Sequence, residues 1–396
     1  MKIICAHNYY QQPGGEDASF QAQVALLRAN GHEVFTFTRN NSDAASLNPV
    51  VAAARTIWSR EAARELGALI SKTGAQVVHF HNTFMLISPA AYYACRANRV
   101  PVIQDLRNYR LLCPVATFVR QGRLCEDCLG RTPPWPSVLH ACWRHSRPAT
   151  AVVATMLTAH RVLGTWDRQV DAYIALTETS RQRFIEGGLP PEKIEVKPNF
   201  LDPAPPVGGN RSRFALYVGR LSPEKGIETM LEAWRSLGSL PLKIAGDGPL
   251  AKLVRSYVGQ TSNRAIEWLG HIPHQDVLEL MRQASVLVFP SVWNEPFGNS
   301  IIEAFASGLP VIASNMGSMA ELVADHETGL HFRPGDAADL ASKLRWARDH
   351  RVEMGAMGLA ARHEYERNFT AAKNHAKLMD IYHKAKETHD RQRGSG

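Results

Sequence analysis

Residues 285–314, SVLVFPSVWNEPFGNSIIEAFASGLPVIAS, contain the pattern that decides the fold class. An apolar run at 285–291 predicts a buried strand, and residues 300–308 predict a helix that ends at a glycine. PVIAS at 310–314 then predicts a second strand. A strand, a helix and another strand in this order form a parallel βαβ unit. The same alternation recurs along most of the chain, which predicts an α/β protein with doubly wound parallel sheets.

The alternation is interrupted twice, and these interruptions predict the domain organisation. The Pro- and Gly-rich stretch 202–212 predicts a linker. We therefore expect two Rossmann-like domains, 1–200 and 201–375, that face each other across a cleft. Residues 376–396 are expected to form a C-terminal helix that crosses back to the first domain. Residues 108–148 are rich in Pro, Arg and Cys and have no clear period, which predicts an insertion or lid.

The composition excludes several classes of protein. The 396 residues are 45% hydrophobic and 21% charged, close to the average for globular proteins, which excludes global disorder. The sequence has no run of about 18 uncharged apolar residues, the length that a membrane-spanning helix needs. The first residues, MKIICAHNYY, lack the apolar stretch of a secretory signal, so we expect a cytoplasmic protein.

The net charge of +8 lies almost entirely in the first half of the chain. Residues 1–200 hold 22 Lys and Arg against 15 Asp and Glu, and seven arginines fall between Arg107 and Arg147. One interpretation is an anionic partner for the first half: a phosphorylated substrate, a membrane surface or nucleic acid. The other interpretation is a solvated basic surface.

Four of the six cysteines lie in the insertion, at Cys113, Cys125, Cys128 and Cys142. Four thiolates suit a structural zinc ion, which is tetrahedral and prefers sulfur ligands. Buried free thiols are the alternative. A disulfide framework is disfavoured without a secretory signal. A redox C-x-x-C is disfavoured because no strand leads directly into a helix at this point.

The first chemically informative motif is GRLSPEKG at 219–226. It follows a predicted strand, precedes a predicted helix and carries Arg220 and Lys225. Two cations at the carboxyl end of a parallel strand are well placed to bind a diphosphate. An ordinary basic loop between a strand and a helix is the alternative.

The second motif is NEPFGNSIIEAFASGLPVIAS, in which Glu295 lies in the loop after a buried strand and Glu303 lies one turn into the next helix. Phe297 and Gly298 predict a tight turn that exposes backbone N–H groups at the helix start, near Asn299. Such helix N-termini bind anions. A carboxylate such as Glu303 can accept two hydrogen bonds from a diol such as ribose.

With these motifs the chain resembles the retaining glycosyltransferases of family four, also called glycosyl transferases group 1, which have the GT-B fold. The resemblance covers nearly the whole length. The segments that carry it are the Gly14-Gly15 loop, GHEV at 31–34, KPNF at 197–200, GRLSPEKG, GDGP at 246–249, LGHI at 269–272 and the two glutamates.

The resemblance implies that the second half of the chain binds the sugar donor and the first half binds the acceptor. In the family, the Arg and Lys of GRLSPEKG hold the donor diphosphate, which implies Arg220 and Lys225 here. The first glutamate contacts hydroxyls of the donor sugar at the reaction centre, which implies a catalytic Glu295. The second binds the ribose, which implies Glu303. The other donor-binding positions that we expect are Gly15, Gly246, Ile272, Phe297, Gly298 and Asn299.

One position departs from the family. Relatives commonly carry a histidine after the fourth strand, in a T-x-H pattern, where this chain has Asp105 and Arg107. Arg107 cannot act as a neutral base, so the group near the reaction centre is expected to be Asp105, or His81 at the end of the third strand, with Arg107 as a phosphate or sugar contact. Alternatively, Arg107 pairs with Asp105, and His81 is a satisfied residue at a strand end.

The expected function is transfer of a sugar from a UDP- or GDP-linked donor to a hydroxyl acceptor, with retention and without a cofactor. A catalytic metal is not required, because Arg220 and Lys225 supply positive charge. The acceptor is expected to be a lipid-linked molecule of surface-polysaccharide or glycolipid biosynthesis, which places the protein at the inner face of an anionic membrane. A small soluble acceptor is the alternative.

Other functions fit the sequence less well. A nucleotide-sugar epimerase of the same fold is disfavoured by the EPFG context, and a sugar phosphorylase would need a pyridoxal lysine for which the sequence offers no clear candidate. A nucleic-acid-binding protein is disfavoured because helix-turn-helix, RRM and finger patterns do not occur. A dehydrogenase is disfavoured because no G-x-G-x-x-G follows a strand.

Overall fold

The computed structural model describes residues 1–12, 14–209, 211–238, 240–260 and 265–394. These residues form two compact units. The first unit contains residues 1–118, residues 125–198 and the chain from Asn374 onward. The second unit contains residues 119–124 and 199–373.

The first unit is built on a six-stranded sheet in which every strand is parallel to its neighbours. The strand order is β2-β1-β3-β4-β7-β8. The strands are β1 (Lys2–Tyr9), β2 (Glu33–Asn40), β3 (Val77–Asn82), β4 (Val102–Leu106), β7 (Ala172–Ala175) and β8 (Ile194–Val196). Every residue of β3, β4 and β7 is buried, as expected for parallel strands covered on both faces.

Helices cover both faces of this sheet, in the way that βαβ crossovers require. They are α1 (Gly15–Ala29), α2 (Pro49–Ile57), α3 (Arg60–Thr73), α4 (Ala90–Ala97), α6 (Arg147–Val162), α7 (Thr165–Arg168), α8 (Glu178–Glu186) and α16 (Ala371–Gly394). From α16, Leu378, Ile381 and Tyr382 pack into the same apolar core as Ile3 and Phe20. The C-terminal helix therefore contributes to the core of the first unit.

The insertion at 108–148 has little regular structure. It contains the short helix α5 (Trp135–Leu139) and a two-stranded antiparallel hairpin of β5 (Val119–Arg120) and β6 (Arg123–Leu124). The sparse regular structure agrees with the absence of a period in the sequence.

The second unit repeats the architecture with a second six-stranded parallel sheet, in the order β11-β10-β9-β12-β13-β14. Its strands are β9 (Ala215–Val218), β10 (Leu242–Ala245), β11 (Ile266–Gly270), β12 (Val286–Phe289), β13 (Val311–Ser314) and β14 (Gly329–Phe332). Its helices are α9 (Ile227–Arg235), α10 (Ala251–Gln260), α11 (His274–Gln283), α12 (Asn299–Ala306), α13 (Gly317–Leu322), α14 (Ala337–Asp349) and α15 (Arg351–Asn368). The α/β class and both parallel sheets are thereby confirmed.

The strand order of each sheet tells where a ligand is expected. In an open α/β sheet, ligands bind beyond the carboxyl ends of the strands, at the point where the order of the strands reverses. In the first unit the reversal lies between β1 and β3, and in the second it lies between β9 and β12. We therefore expect ligands to bind at the loops that follow these strands.

None of the described helices combines the length with the apolar character that crossing a membrane would require.

Candidate functional site

The carboxyl edge of the second sheet brings together the loops that follow β9, β10 and β12, and two glycines allow their close approach. Gly246 has φ of 151°, and a Cβ atom there would lie 1.9 Å from the carbonyl oxygen of Gly219. Gly226 has φ of 69°, and a Cβ atom there would lie 1.9 Å from the carbonyl oxygen of Pro290. Any larger residue would push these loops apart. The close approach of these loops therefore explains why Gly226 ends GRLSPEKG and why Gly246 begins GDGP.

Lys225 and Glu295 meet at this edge. The Lys225 Nζ atom lies 2.7 Å from Oε1 and 2.8 Å from Oε2 of Glu295. The Ser291 hydroxyl donates a further hydrogen bond to Oε1. Glu295 is 4% exposed, and the rings of Phe289 and Trp293 flank the ammonium group at 5.9 and 5.8 Å. The ammonium group of Lys225 thus holds the buried carboxylate of Glu295 at the place where the sequence predicted the binding site for the sugar donor.

Arg220 lies on the same loop but is exposed. Its carbonyl oxygen accepts a hydrogen bond from the Tyr217 hydroxyl at 2.9 Å, which fixes the backbone of the loop. Within the part of the chain that the structure describes, its guanidinium takes part in no ion pair. This side chain is therefore available to an anion from solvent.

The start of α12 forms another part of this edge. Gly298 is the N-cap, and the first N–H groups of a helix have no partner inside the helix. The Asn299 side-chain oxygen accepts a hydrogen bond from the Asn199 amide at 2.8 Å. Phe297 is buried, and its ring centroid lies 6.3 Å from that of Phe369. The first backbone N–H groups of α12 therefore directly follow Phe297 and Gly298 at the start of the helix.

Glu303 lies in the middle of α12, and its side chain is 16% exposed. Its Oε1 atom accepts a hydrogen bond from Nε2 of His274, the first residue of α11, at 3.0 Å. This hydrogen bond is the main reason why the pKa of His274 lies above its ordinary value. Ile272 lies two residues before His274 in the loop after β11 and is half-buried.

In the first unit, Asp105 is the centre of a buried polar network at the carboxyl ends of β3 and β4. The Nε and an Nη atom of Arg107 lie 2.8 and 2.7 Å from Asp105 Oδ2. His79 bonds Asp105 Oδ1 through Nε2 at 2.9 Å and the Tyr382 hydroxyl through Nδ1 at 2.8 Å. The pairing of Arg107 with Asp105, one of the two sequence-based alternatives, is the one found.

His81 also faces this carboxylate. Its Nδ1 atom lies 3.0 Å from Asp105 Oδ2, but neither of its ring nitrogens makes a hydrogen bond among the described residues. Burial lowers the pKa of His81 well below its ordinary value, which keeps the imidazole neutral. Burial opposes ionisation of Asp105, but Arg107 and the two histidines hold the pKa of its carboxyl well below the usual range. The three sequence-predicted residues thus lie together in the first unit.

The cluster of His79, His81 and Asp105 is the group in the described residues whose atoms lie close enough together to ligate a metal ion. Both nitrogens of His79 already have partners, and both oxygens of Asp105 are in use. A cation would have to compete with the guanidinium of Arg107. The arrangement fits a self-neutralised polar network better than a metal centre.

The glycine loop after β1 is connected to His7 through Asp17. His7 Nε2 lies 2.7 Å from Asp17 Oδ1, and Asp17 Oδ2 accepts the Gly14 N–H at 3.1 Å. Both side chains are buried. Gly15 is the first residue of α1, so Asp17 links the strand end to the glycine loop.

A further network joins the ends of β1 and β4. Glu16 accepts hydrogen bonds from the Tyr10 hydroxyl and from the Asn108 amide, both at 2.9 Å, and Asn108 also donates to the Tyr10 hydroxyl at 3.1 Å. These residues, like His7 and Asp17, were missed in the sequence. The positions of Tyr10 and Asn108, just after β1 and β4, are the signal that would have revealed this network.

The four cysteines of the insertion form no disulfide. Cys113 and Cys128 are buried, whereas Cys125 and Cys142 are half-buried. Within the described residues, the sulfur atoms of these cysteines are not among the ligand atoms that lie close enough together to hold a metal ion. Burial raises the pKa of Cys128 to about 11, with smaller contributions from Cys113 and Cys142. The zinc ion stays a prediction.

Comparison with known protein families now adds to the geometry. The family described as "Glycosyl transferases group 1" matches residues 205–364, and the family described as "Glycosyl transferase 4-like domain" matches residues 14–199. Most of the chain thus consists of a glycosyl transferase 4-like domain followed by a group 1 glycosyl transferase domain. The resemblance drawn from the motifs is thereby confirmed, with each half of the chain assigned to its own domain.

Curated relatives of this chain are named for different activities. A glycogen synthase of Mycobacterium tuberculosis is 31% identical over 60% of this chain and 59% of its own length. The D-rhamnosyltransferase WbpZ of Pseudomonas aeruginosa is 32% identical over 40% of this chain and 42% of its own length. The aligned part of the chain therefore spans less than two thirds of the length of these relatives.

Solved structures share the fold along nearly the whole chain. HepE of Anabaena in complex with UDP is 17% identical, has a TM-score of 0.70 and is matched over 96% of this chain and 99% of its own. A sucrose-phosphate synthase of Thermosynechococcus elongatus is 18% identical, with a TM-score of 0.67 over 97% and 98% of the two chains. At this level of identity the likeness establishes the GT-B fold.

Proposed function

We propose that the protein is a retaining glycosyltransferase that moves a sugar from a UDP- or GDP-linked donor to a hydroxyl acceptor. The observation that carries this proposal is the pairing of Lys225 with the buried Glu295 beside the start of α12. A cation, a carboxylate and free helix N–H groups are the groups needed to bind a diphosphate joined to a sugar. The relatives that transfer sugars support the same reaction class.

The diphosphate is the leaving group in this reaction, and negative charge builds on its oxygens as the glycosidic bond breaks. Lys225, Arg220 and the first N–H groups of α12 stabilise that charge more in the transition state than in the ground state. These positive groups belong to the chain itself, so the proposed mechanism needs no metal ion. Glu303 accepts hydrogen bonds from the ribose, and Ile272 contacts the base.

Glu295 has two roles in this proposal. Before the donor binds, it neutralises Lys225, so that the site does not hold an unpaired buried charge. When the diphosphate arrives, Lys225 turns to the phosphate oxygens, and the carboxylate of Glu295 accepts hydrogen bonds from hydroxyls of the donor sugar. The oxocarbenium-like carbon is then attacked from the side of the leaving group, and the departing phosphate takes the proton of the acceptor.

The residues of the first unit contribute to the acceptor side of the proposal. Arg107 is held by Asp105 and is always charged, so it serves as an anion or hydroxyl contact and not as a base. His81 is neutral, and its Nε2 atom is not used by the described residues. We assign His81 and Asp105 to the polar environment of the acceptor hydroxyl.

The proposed acceptor is a lipid-linked molecule of surface-polysaccharide or glycolipid biosynthesis, met at the cytoplasmic face of an anionic membrane. The basic first half of the chain supports this, because anionic lipids attract surface Arg and Lys by about 1 kcal/mol per residue. The insertion carries Arg120 and Arg123 on its hairpin, and Leu124 and Trp135 are exposed apolar residues of the same segment. A small soluble acceptor is the alternative.

A donor screen tests the proposal. Purified full-length protein is incubated with UDP- and GDP-linked sugars in the presence of the crude native acceptor pool, and release of free nucleoside diphosphate is measured. Release with at least one donor, abolished in Glu295→Ala, is the expected result. A complete lack of release with all donors, although the protein is folded, would overturn the proposal.

A further inference from the structure

We propose that His274 is a positioning residue for nucleotide recognition: it holds the carboxylate of Glu303 in the orientation that a vicinal diol such as ribose requires. The inference rests on the proposed function, because it takes Glu303 as the acceptor of the ribose hydroxyls. It adds a residue that no motif of the sequence pointed to. It also predicts how the protein distinguishes a ribonucleotide from a deoxyribonucleotide.

The contact joins two neighbouring helices. His274 begins α11, Glu303 lies in the second turn of α12, and these two helices pack against each other. His274 Nε2 lies 3.0 Å from Glu303 Oε1. Among the described residues, His274 is the charged or titratable side chain that bonds this carboxylate. The Glu303 side chain is 16% exposed and that of His274 is 57% exposed, so the pair lies at the surface of the site, open to a ligand.

The geometry leaves the carboxylate able to bind a diol. The histidine uses one lone pair of Oε1, and Oε2 has no hydrogen-bond partner within the described residues. An ionised carboxylate offers about four acceptor positions, so three remain for two ribose hydroxyls. The contact with His274 therefore leaves enough acceptor positions on the carboxylate for both hydroxyls of the diol.

If His274 fixes the Glu303 side chain before the nucleotide binds, the affinity for the nucleotide increases. A glutamate side chain loses rotamer freedom when it is fixed, and this loss costs free energy. If His274 fixes it before the ligand arrives, the ligand does not have to meet this cost. The benefit applies only to a ligand that uses the carboxylate. A nucleotide without the 2′-hydroxyl gains less from it.

The experiment compares ribose and deoxyribose nucleotides. Dissociation constants of UDP, GDP, 2′-deoxy-UDP and 2′-deoxy-GDP are measured by calorimetry with the full-length protein, His274→Ala, His274→Gln and the control His363→Ala. His363 is an exposed histidine of α15 in the same unit. For the ribonucleotide that binds, we expect His274→Ala to weaken binding by about 3- to 10-fold, a part of the rotamer cost. The deoxy form should change little.

The conservative variant and the kinetics separate positioning from a general structural effect. His274→Gln keeps an N–H donor, so it should restore most of the preference for ribose, and His363→Ala should match the wild type. With the cognate donor sugar, His274→Ala should raise KM and leave kcat nearly unchanged. Should His274→Ala fail to fold, His274→Ser removes the same contact.

Two results would count against the inference, and they can be told apart. If the wild type binds neither UDP nor GDP, the proposed function fails, and the inference fails with it. If the wild type prefers the ribonucleotide and His274→Ala keeps the same preference, the inference alone is wrong, and the donor site stands.

Discussion

Lys225 and Glu295 lie 70 positions apart in the chain, yet the ammonium group of one lies within 2.8 Å of both carboxylate oxygens of the other. The pair lies at the carboxyl edge of the second sheet, next to the point where the strand order reverses. Each residue thus neutralises the other, and in the proposed function each exchanges its partner for a part of the donor. This relationship leads to different expectations for the two basic residues of GRLSPEKG.

Lys225→Ala and Arg220→Ala should both lower the turnover number by roughly 100-fold, because each removes a positive group from the charge that grows on the leaving diphosphate. Only Lys225→Ala should also lower the melting temperature, since it leaves the buried Glu295 without its cation. Steady-state kinetics and thermal melts measure the two effects, and Lys252→Ala, an exposed lysine of α10, is the control. Full activity in both variants, or loss of the chemical step on addition of EDTA, would contradict the metal-free mechanism.

Glu303→Ala should weaken donor binding by about 1.5–3 kcal/mol, the usual value of a hydrogen bond to a charged group. The loss should appear in the donor KM and in the dissociation constant of the nucleotide by calorimetry. Glu353→Ala, at an exposed position of α15, is the matched control. An unchanged affinity would show that Glu303 does not bind the ribose.

Lys197 predicts a dependence of stability on pH. Its ammonium group is buried and donates to Gln23 and Asn374, and burial lowers its pKa from 10.5 to about 8. Between these values the unfolded chain binds more protons than the folded one, so stability should rise as the pH increases from 8 towards 10.5 and be lowest below 8.

The effect is measured as a difference between variants. Lys197→Met does not titrate, so the melting temperature of the wild type relative to that variant should rise between pH 7.5 and 9.5. The difference should correspond to a few kcal/mol at most, because one pKa unit is about 1.4 kcal/mol. Lys72→Met, an exposed lysine of the same unit, should show no such change. A difference that stays constant with pH would mean that Lys197 titrates normally.

The cysteines of the insertion should hold one zinc ion for structure. We expect elemental analysis of the purified protein to find about one zinc per chain, and chelation or Cys128→Ser to lower the melting temperature, because structural zinc contributes directly to folding. Zinc close to zero, with a melting temperature that chelators do not change, would show that these are plain buried thiols.

The protein should bind anionic vesicles through the basic first half of the chain. Co-sedimentation with vesicles that contain phosphatidylglycerol should fall steeply as salt rises, because exposed charges are screened within about 8 Å at physiological ionic strength. Charge reversal of Arg120 and Arg123 should weaken this binding and leave nucleotide affinity unchanged. Equal binding to neutral vesicles at all salt concentrations would favour a small soluble acceptor.

Local sequence patterns were sufficient to predict the strands, the helices and the two charged motifs of the second half. The strands and helices follow from short-range periodicity, and GRLSPEKG and EPFG stand out because glycines, cations and carboxylates occur at fixed positions after strands. Asp105 and Arg107 were singled out because they occupy the place of an expected histidine. Their pairing could be weighed from the sequence, since only one residue separates them.

The sequence by itself determined the α/β class, the division into two similar halves and the residues that carry charge at the strand ends, because these depend on residues close together in the chain. Only the tertiary structure determined which of these side chains contact one another. Lys225 meets Glu295, and His274 meets Glu303, because β12 lies beside β9 in the sheet and α11 packs against α12. Strand order and helix packing depend on contacts between distant segments, which no local periodicity records. His79 likewise meets Tyr382 of the last helix, 303 positions away, only because α16 completes the core of the first unit.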